Sequence, residues 1–304
     1  MTVSPASRDL EPRAPRSPSP IAFSSGRRSA KPSRLDSHLV ELDRDHPGFR
    51  DLTYRARRDA IARLAGVHER GQPPPQVDYT AEEEQVWATA LQALAPLHAR
   101  YACRGYLAAW PGVGLGPERI PQLAEIGERL SRATGFCYAP VAGLVTPRDF
   151  MDRLGDRTFL ATQYMRHPST PLYTPEPDLI HELVGHAPSL CDARYARINE
   201  LFGHATRVAD EASIDRLIRT YWYCMEFGVV REGDALKAVG AGLLSSFGEL
   251  GRFEREAKLV PFDLGVVGRT PFDPTQYQST LFVAASEEAL LSTLTEWLEL
   301  ESRR

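Results

Sequence analysis

A mainly α-helical single domain with little β-structure is what this sequence predicts, and three observations carry the prediction. Apolar residues recur at helical spacing in several long segments, strand-like alternation is scarce, and 304 residues at 42% apolar and 25% charged content suffice for one large core. A chain of this length hides roughly 75% of the surface that its unfolded form exposes.

Taken in order, residues 1–36 stand apart. They hold six prolines, many serines and seven Lys/Arg but few large apolar side chains. That is too little apolar surface to offset the entropy of ordering, so a disordered N-terminal arm is expected. Its Arg and Ser content also fits a nucleic-acid tether or a transit peptide, against the plainer reading of a solvated leader. Residues 37–304 then form one folded domain. Thr80-Ala-Glu-Glu83 is a capping box, followed by Val86, Trp87, Leu91, Leu94 and Leu97 at helical spacing. Pro121 suits a first helical turn, with Leu123, Ile126 and Leu130 on one face and Gly135 as the stop. Ser286 opens a last amphipathic helix through Leu290, Leu291, Leu294, Trp297 and Leu298. Strand candidates are residues 159–164 and 259–267, the latter interrupted by Pro261 and Gly265.

A net charge of −4 offers no strong field, so neither a nucleic-acid nor a membrane partner is expected. Cys103, Cys137, Cys191 and Cys224 are at least 33 residues apart and form no disulfide framework. Together with the lack of an apolar leader or long apolar run, they predict reduced thiols and a cytoplasmic location.

The chemistry concentrates in Pro175-Glu-Pro-Asp-Leu-Ile-His181-Glu182-Leu-Val-Gly-His186-Ala-Pro188. It is close to the zinc-protease pattern H-E-x-x-H, but the second histidine comes one position late. In a regular helix, four positions leave two side chains about 40° apart and five leave them about 140° apart. Two ligands cannot converge at that angle, so Gly185 and Pro188 are expected to mark a distortion that swings His186 back. The third ligand is expected from Tyr221-Trp-Tyr-Cys-Met-Glu226-Phe227, where a carboxylate among aromatic residues would be costly to bury unpaired. Two imidazoles and one carboxylate with open positions make the facial triad of non-haem Fe(II) oxygenases. His38, His46, His68, His98 and His204 are read as ordinary hydrogen-bonded or surface histidines.

These segments resemble the tetrahydropterin-dependent aromatic amino acid hydroxylases, the family of phenylalanine, tyrosine and tryptophan hydroxylases. The likeness begins at Asp43-Arg-Asp-His-Pro-Gly-Phe49 and continues through Ile120-Pro-Gln-Leu123, Pro140-Val-Ala-Gly143-Leu144, Thr162-Gln-Tyr-Met-Arg166-His167 and Tyr173-Thr-Pro-Glu-Pro177. It reaches Gly240-Ala-Gly-Leu-Leu-Ser245 and covers roughly residues 37–300. The resemblance implies that residues 37–304 are a single aromatic amino acid hydroxylase catalytic domain. It implies Fe(II) held by His181, His186 and Glu226, and tetrahydropterin bound near Gly143, Leu144, Val145 and Phe150 with Glu182 and Tyr221 close by. For the amino acid it implies Arg166 on the carboxylate, supported by Thr174 and Ser245, with Pro177, Trp222 and Phe227 walling the ring. The implied reaction uses O2 to hydroxylate L-phenylalanine, while tyrosine or tryptophan as substrate stays open.

The family's regulatory domain and tetramerisation tail have no counterpart in this sequence, so a monomer or weak dimer is expected. Cys191 and Thr206 resemble the Cys and Thr of bacterial phenylalanine 3-hydroxylases, which implies meta-tyrosine as product; 4-hydroxylation to tyrosine is the alternative. A buried Cys is also an ordinary small core residue. From another class, a zinc hydrolase is the competing reading of the histidine pair.

Overall fold

The computed structural model describes residues 42, 44, 46–274 and 276–303, so the expected arm at residues 1–36 lies outside the described residues. The described residues are 55% helical with 10% strand, as a mainly α-helical fold requires. It opens with α1 (Leu52–Gly66), α2 (Ala81–Tyr101), α3 (Arg104–Val113) and α4 (Leu123–Thr134). Then come β1 (Cys137–Pro140), α5 (Pro147–Leu154) and β2 (Thr158–Ala161). A first π-helix (His181–His186) runs directly into α6 (Ala187–Cys191), followed by α7 (Ala193–Val208) and α8 (Glu211–Tyr221). A second π-helix (Trp222–Glu226) continues α8. The remainder is β3 (Val229–Glu232), β4 (Ala235–Ala238), α9 (Ala241–Ser245), α10 (Phe247–Leu250), α11 (Phe253–Glu256), β5 (Lys258–Pro261), α12 (Leu264–Val267), β6 (Thr280–Ala284) and α13 (Glu287–Glu301).

Local chemistry accounts for the helix boundaries. Thr80 and Glu83 form both halves of the expected capping box at α2, and Ser286 caps α13 by accepting from the Ala289 N–H. Gly135 ends α4 in the left-handed region at φ 80°. Pro121 is not in the first turn of α4: the helix starts two residues later, because Gln122 turns its side chain to the backbone of Val77.

The β-structure falls into two parts. β1 and β2 pair in parallel, while β4-β3-β6-β5 form a small sheet with only the β3–β4 pair antiparallel. Both expected strands are shorter than the apolar runs suggested. The first ends at Ala161, because the Thr162 N–H is taken by the Glu182 carboxylate and leaves the ladder. The second ends at Pro261, which lacks an N–H, and Asp263 then caps α12. A single apolar cluster runs from α2 to α13 through the two π-helices, placing them in the centre of the molecule.

Candidate metal centre

The first π-helix resolves the late histidine. A π-helix bonds i to i+5, one residue more per turn than an α-helix, so His181 and His186 return to the same face. Two buried tyrosine hydroxyls donate to carbonyls inside it, Tyr138 to Glu182 and Tyr106 to Val184, each at 2.9 Å. Side-chain donors that reach into a helix ladder in this way are a recognised cause of local distortion. Gly185 permits the close approach of α9, since a Cβ there would lie 2.7 Å from the Ala241 carbonyl oxygen. The second π-helix has its own i to i+5 bond, from the Phe227 N–H to the Trp222 carbonyl at 2.9 Å, and it carries Glu226 at its end.

The two π-helices bring His181, His186 and Glu226 together, with one ligand atom from each within 4.8 Å of the others. The two Nε2 atoms are 3.0 Å apart, and His186 Nε2 is 3.3 Å from a Glu226 oxygen. Glu226 is 0% exposed and neither of its oxygens has a hydrogen-bond partner. Ser245 Oγ donates to the Ala241 carbonyl at 2.8 Å, so it accepts from His181 Nδ1 at 2.9 Å. That fixes the tautomer: Nδ1 carries the hydrogen and Nε2 presents its lone pair to the centre. Burial, with His186 alongside, holds the His181 pKa well below its ordinary value.

A small cavity opens beside the two histidines. Gly143, Leu144, Val145, Phe150, Pro177, His181, Glu182 and His186 all line it. Phe150 meets Tyr221 edge-on at 5.6 Å, and the Tyr221 hydroxyl donates to Asn199 Oδ1 at 3.1 Å. Glu182 accepts from the Thr162 N–H and hydroxyl at 3.0 and 3.1 Å, yet burial pushes its carboxyl up to about 8.

Arg166 is buried and grips Asp178 through Nε and Nη2, both at 2.8 Å. Asp178 also accepts from the His181 N–H at 3.2 Å, tying this pair to the start of the first π-helix. Thr174 is buried in the same loop and donates to the Glu176 carbonyl at 2.9 Å. Trp222 lies between Phe272, stacked at 4.3 Å, and Phe227 at 4.8 Å, and donates from Nε1 to Gln278. Of the expected residues, Arg166, Thr174, Tyr221, Trp222, Phe227, Ser245, Cys191 and Thr206 do not line this cavity, and Arg166 lines a separate one with Tyr54 and Arg57. Cys191 is the half-buried last residue of α6, and Thr206 donates to the Phe202 carbonyl of its own helix at 2.8 Å.

Asp178, Thr162, Tyr138 and Asn199 were not foreseen from the sequence. Asp178 had a readable signal, an acidic residue directly before the helical run whose third residue is His181. Among the other histidines, His46, His68, His98 and His204 are each hydrogen-bonded or ion-paired, and His38 lies outside the described residues.

Residues 32–303 match the family model described as biopterin-dependent aromatic amino acid hydroxylase. The phenylalanine 4-monooxygenase, chloroplastic, of Physcomitrium patens is 50% identical over 211 residues, 69% of this chain and 54% of that protein. The phenylalanine-4-hydroxylase of Rattus norvegicus is 43% identical over 259 residues, 84% of this chain and 57% of that protein. The chain therefore spans about half the length of the curated relatives it matches.

Among solved structures, Chromobacterium violaceum phenylalanine hydroxylase with bound oxidised Fe(III) aligns at TM-score 0.71 and 29% identity, covering 79% of this chain and 90% of that one. The same enzyme with bound iron(III) and oxidised 7,8-dihydrobiopterin aligns at TM-score 0.69 and 30% identity, covering 78% and 89%. No described helix is long and apolar enough to cross a membrane. The zinc-hydrolase reading of the histidine pair is set aside: the match runs through both ligand-bearing segments, and the late histidine is built into a π-helix, where H-E-x-x-H relies on a regular one. With His181, His186 and Glu226 gathered inside the matched region, the chain belongs to the biopterin-dependent aromatic amino acid hydroxylase family.

Proposed function

We propose that this chain is an iron- and tetrahydropterin-dependent monooxygenase that hydroxylates the aromatic ring of L-phenylalanine. The observation that carries this reading is Glu226, a fully buried carboxylate whose two oxygens accept no hydrogen bond and lie 3.3 Å from His186 Nε2 and 3.8 Å from His181 Nε2. An isolated buried ion costs several kcal/mol. A divalent cation removes that cost, and two nitrogens and one carboxylate suit Fe(II) with positions left open. When bound, the iron and reduced pterin supply the activation of O2 that ring hydroxylation needs.

The chain's own residues do the placing. Ser245 holds His181 in the ligating tautomer. The cavity walls at Gly143, Leu144 and Val145 offer backbone groups to a pterin edge, with Phe150 and Tyr221 as ring surfaces and Glu182 as a carboxyl at the same cavity. Asp178 fixes Arg166 so that Nη1, uncommitted among the described residues, meets a substrate carboxylate, a role that Thr174 supports. Pro177, Trp222 and Phe227 wall the substrate ring and help exclude water.

We place the hydroxylation at C3, giving meta-tyrosine. That part rests on Cys191 and Thr206 alone. Neither lines the cavity, so both act through what they pack on. Cys191 ends the helix continuous with His186, and Thr206 is one turn from Phe202, which meets Tyr221 edge-on at 5.1 Å. The second reading, C4, is favoured by the names of the relatives.

The test is to incubate the protein with Fe(II), tetrahydropterin, O2 and L-phenylalanine and separate the products by chromatography. Meta-tyrosine is expected. Para-tyrosine would refute C3 and leave ring hydroxylation standing, whereas no tyrosine isomer at all would refute the whole reading.

A further inference from the structure

A second cavity of about 350 Å³ lies between α2 and α3, away from the metal centre. Its wall is largely apolar, with Leu91, Leu94, Leu107 and Leu115 and the rings of His98, Tyr106 and Trp110. The three rings are mutual neighbours at 5.2 to 5.7 Å. Two of them turn a polar atom away from the cavity and onto the catalytic elements. The Tyr106 hydroxyl donates to the Val184 carbonyl at 2.9 Å, inside the first π-helix. His98 Nε2 lies 2.7 Å from the Leu244 carbonyl, next to the Ser245 that holds His181.

A carbonyl only accepts, so Nε2 carries the hydrogen of His98 and Nδ1 is left as an acceptor. Burial lowers the His98 pKa, which keeps the ring neutral. No Lys, Arg, Asp or Glu lines the cavity, so nothing there balances the charges of a zwitterionic amino acid. An enclosed apolar cavity of about 150 Å³ accommodates benzene; this one is larger and open to solvent at a rim that includes Gln92, Ala95 and Ala99, which leaves room for two fused rings.

We propose that this cavity binds a neutral bicyclic aromatic molecule with a single N–H donor, indole being the simplest, and that its occupancy is linked to the metal centre. The apolar rings supply burial, and His98 Nδ1 receives the N–H. The linkage runs through Tyr106 to Val184 and through His98 to Leu244, and it acts equally in both directions. The inference stands on the cavity itself and does not depend on which reaction the metal centre performs.

The test is calorimetric titration of the metal-free 304-residue chain with indole, and with indene as the shape analogue without the N–H. One site is expected, with indene about fivefold weaker for the loss of one hydrogen bond. Fe(II) loading is expected to change the indole affinity at least about twofold. Ala95→Trp and Ala99→Trp, at exposed cavity-lining positions of α2, should each abolish indole binding while iron binding is kept. The site is refuted by the absence of any binding heat, by indole binding that survives both substitutions, or by displacement of indole by L-phenylalanine or pterin. Dissociation of an oligomer in the tryptophan variants, without indole binding to the parent, would show that a second copy covers the face and would also refute it. An indole affinity unchanged by Fe(II) overturns the linkage.

Discussion

Gly185→Ala tests how tightly the first π-helix is pressed against α9. The new Cβ would lie 2.7 Å from the Ala241 carbonyl oxygen, 0.7 Å short of the 3.4 Å at which ordinary van der Waals contact begins. The nearest neighbour is backbone, so no side chain can rotate aside and the two elements must separate. Overpacking of this kind costs about 1–3 kcal/mol, which lowers Tm by roughly 2–10 °C in a domain of this size. The separation falls between His181 and Ser245, whose 2.9 Å bond would open to 3.6 Å if it took all of the movement, beyond hydrogen-bonding range. Loss of a partner that orients a metal ligand weakens metal binding by about 10- to 100-fold. Thermal unfolding and Fe(II) competition against a chelator read the two effects separately. Unchanged Tm and unchanged affinity would refute the close approach, and a lowered Tm with unchanged affinity would refute the claim that α9 sets the geometry of His181.

Other substitutions probe separate links. Ser245→Ala should leave the fold intact but weaken Fe(II) binding by about 10- to 100-fold, as read by the same competition. Asp178→Ala leaves Arg166 as an unpaired buried cation, which should cost about 3–5 kcal/mol in urea unfolding; a loss under 1 kcal/mol would mean that the pair is solvated. It should also raise KM for L-phenylalanine, because the guanidinium is no longer held. Thr80→Ala removes half of the capping box of α2 and should cost about 0.5–2 kcal/mol while kcat stays unchanged.

The sequence made the periodic and capped elements legible because their signals are local. Thr80, Gly135 and Ser286 each act within one helical turn, and all three bound helices where expected. The strands were harder. Of six among the described residues, five are four residues long, and what ends β2 is Glu182, a residue 20 positions from Thr162. The helix distortion at Gly185 was foreseeable from the late histidine, but its form as a π-helix was not, since it depends on tyrosines at positions 106 and 138 reaching its carbonyls.

The site residues divide in the same way. His181, His186 and Glu226 stood out because a paired histidine motif and a carboxylate among aromatic residues have few bland explanations. Ser245 was read as a support for the substrate, and here its hydroxyl is engaged with His181 and the Ala241 carbonyl, which only the fold of α9 reveals. Asp178 went unread because its partner, Arg166, is defined by a loop and carries no periodic signal.

On the proposed assignment, two π-helices assemble one iron site from His181, His186 and Glu226. Its most direct measurement is the iron content of the protein after loading with Fe(II) and desalting, for the parent chain and for His181→Ala, His186→Ala and Glu226→Ala. One iron per chain is expected in the parent and almost none in each variant, with ring hydroxylation lost in step. Stoichiometric iron in any of the three variants, or an iron-free parent, would contradict the assignment.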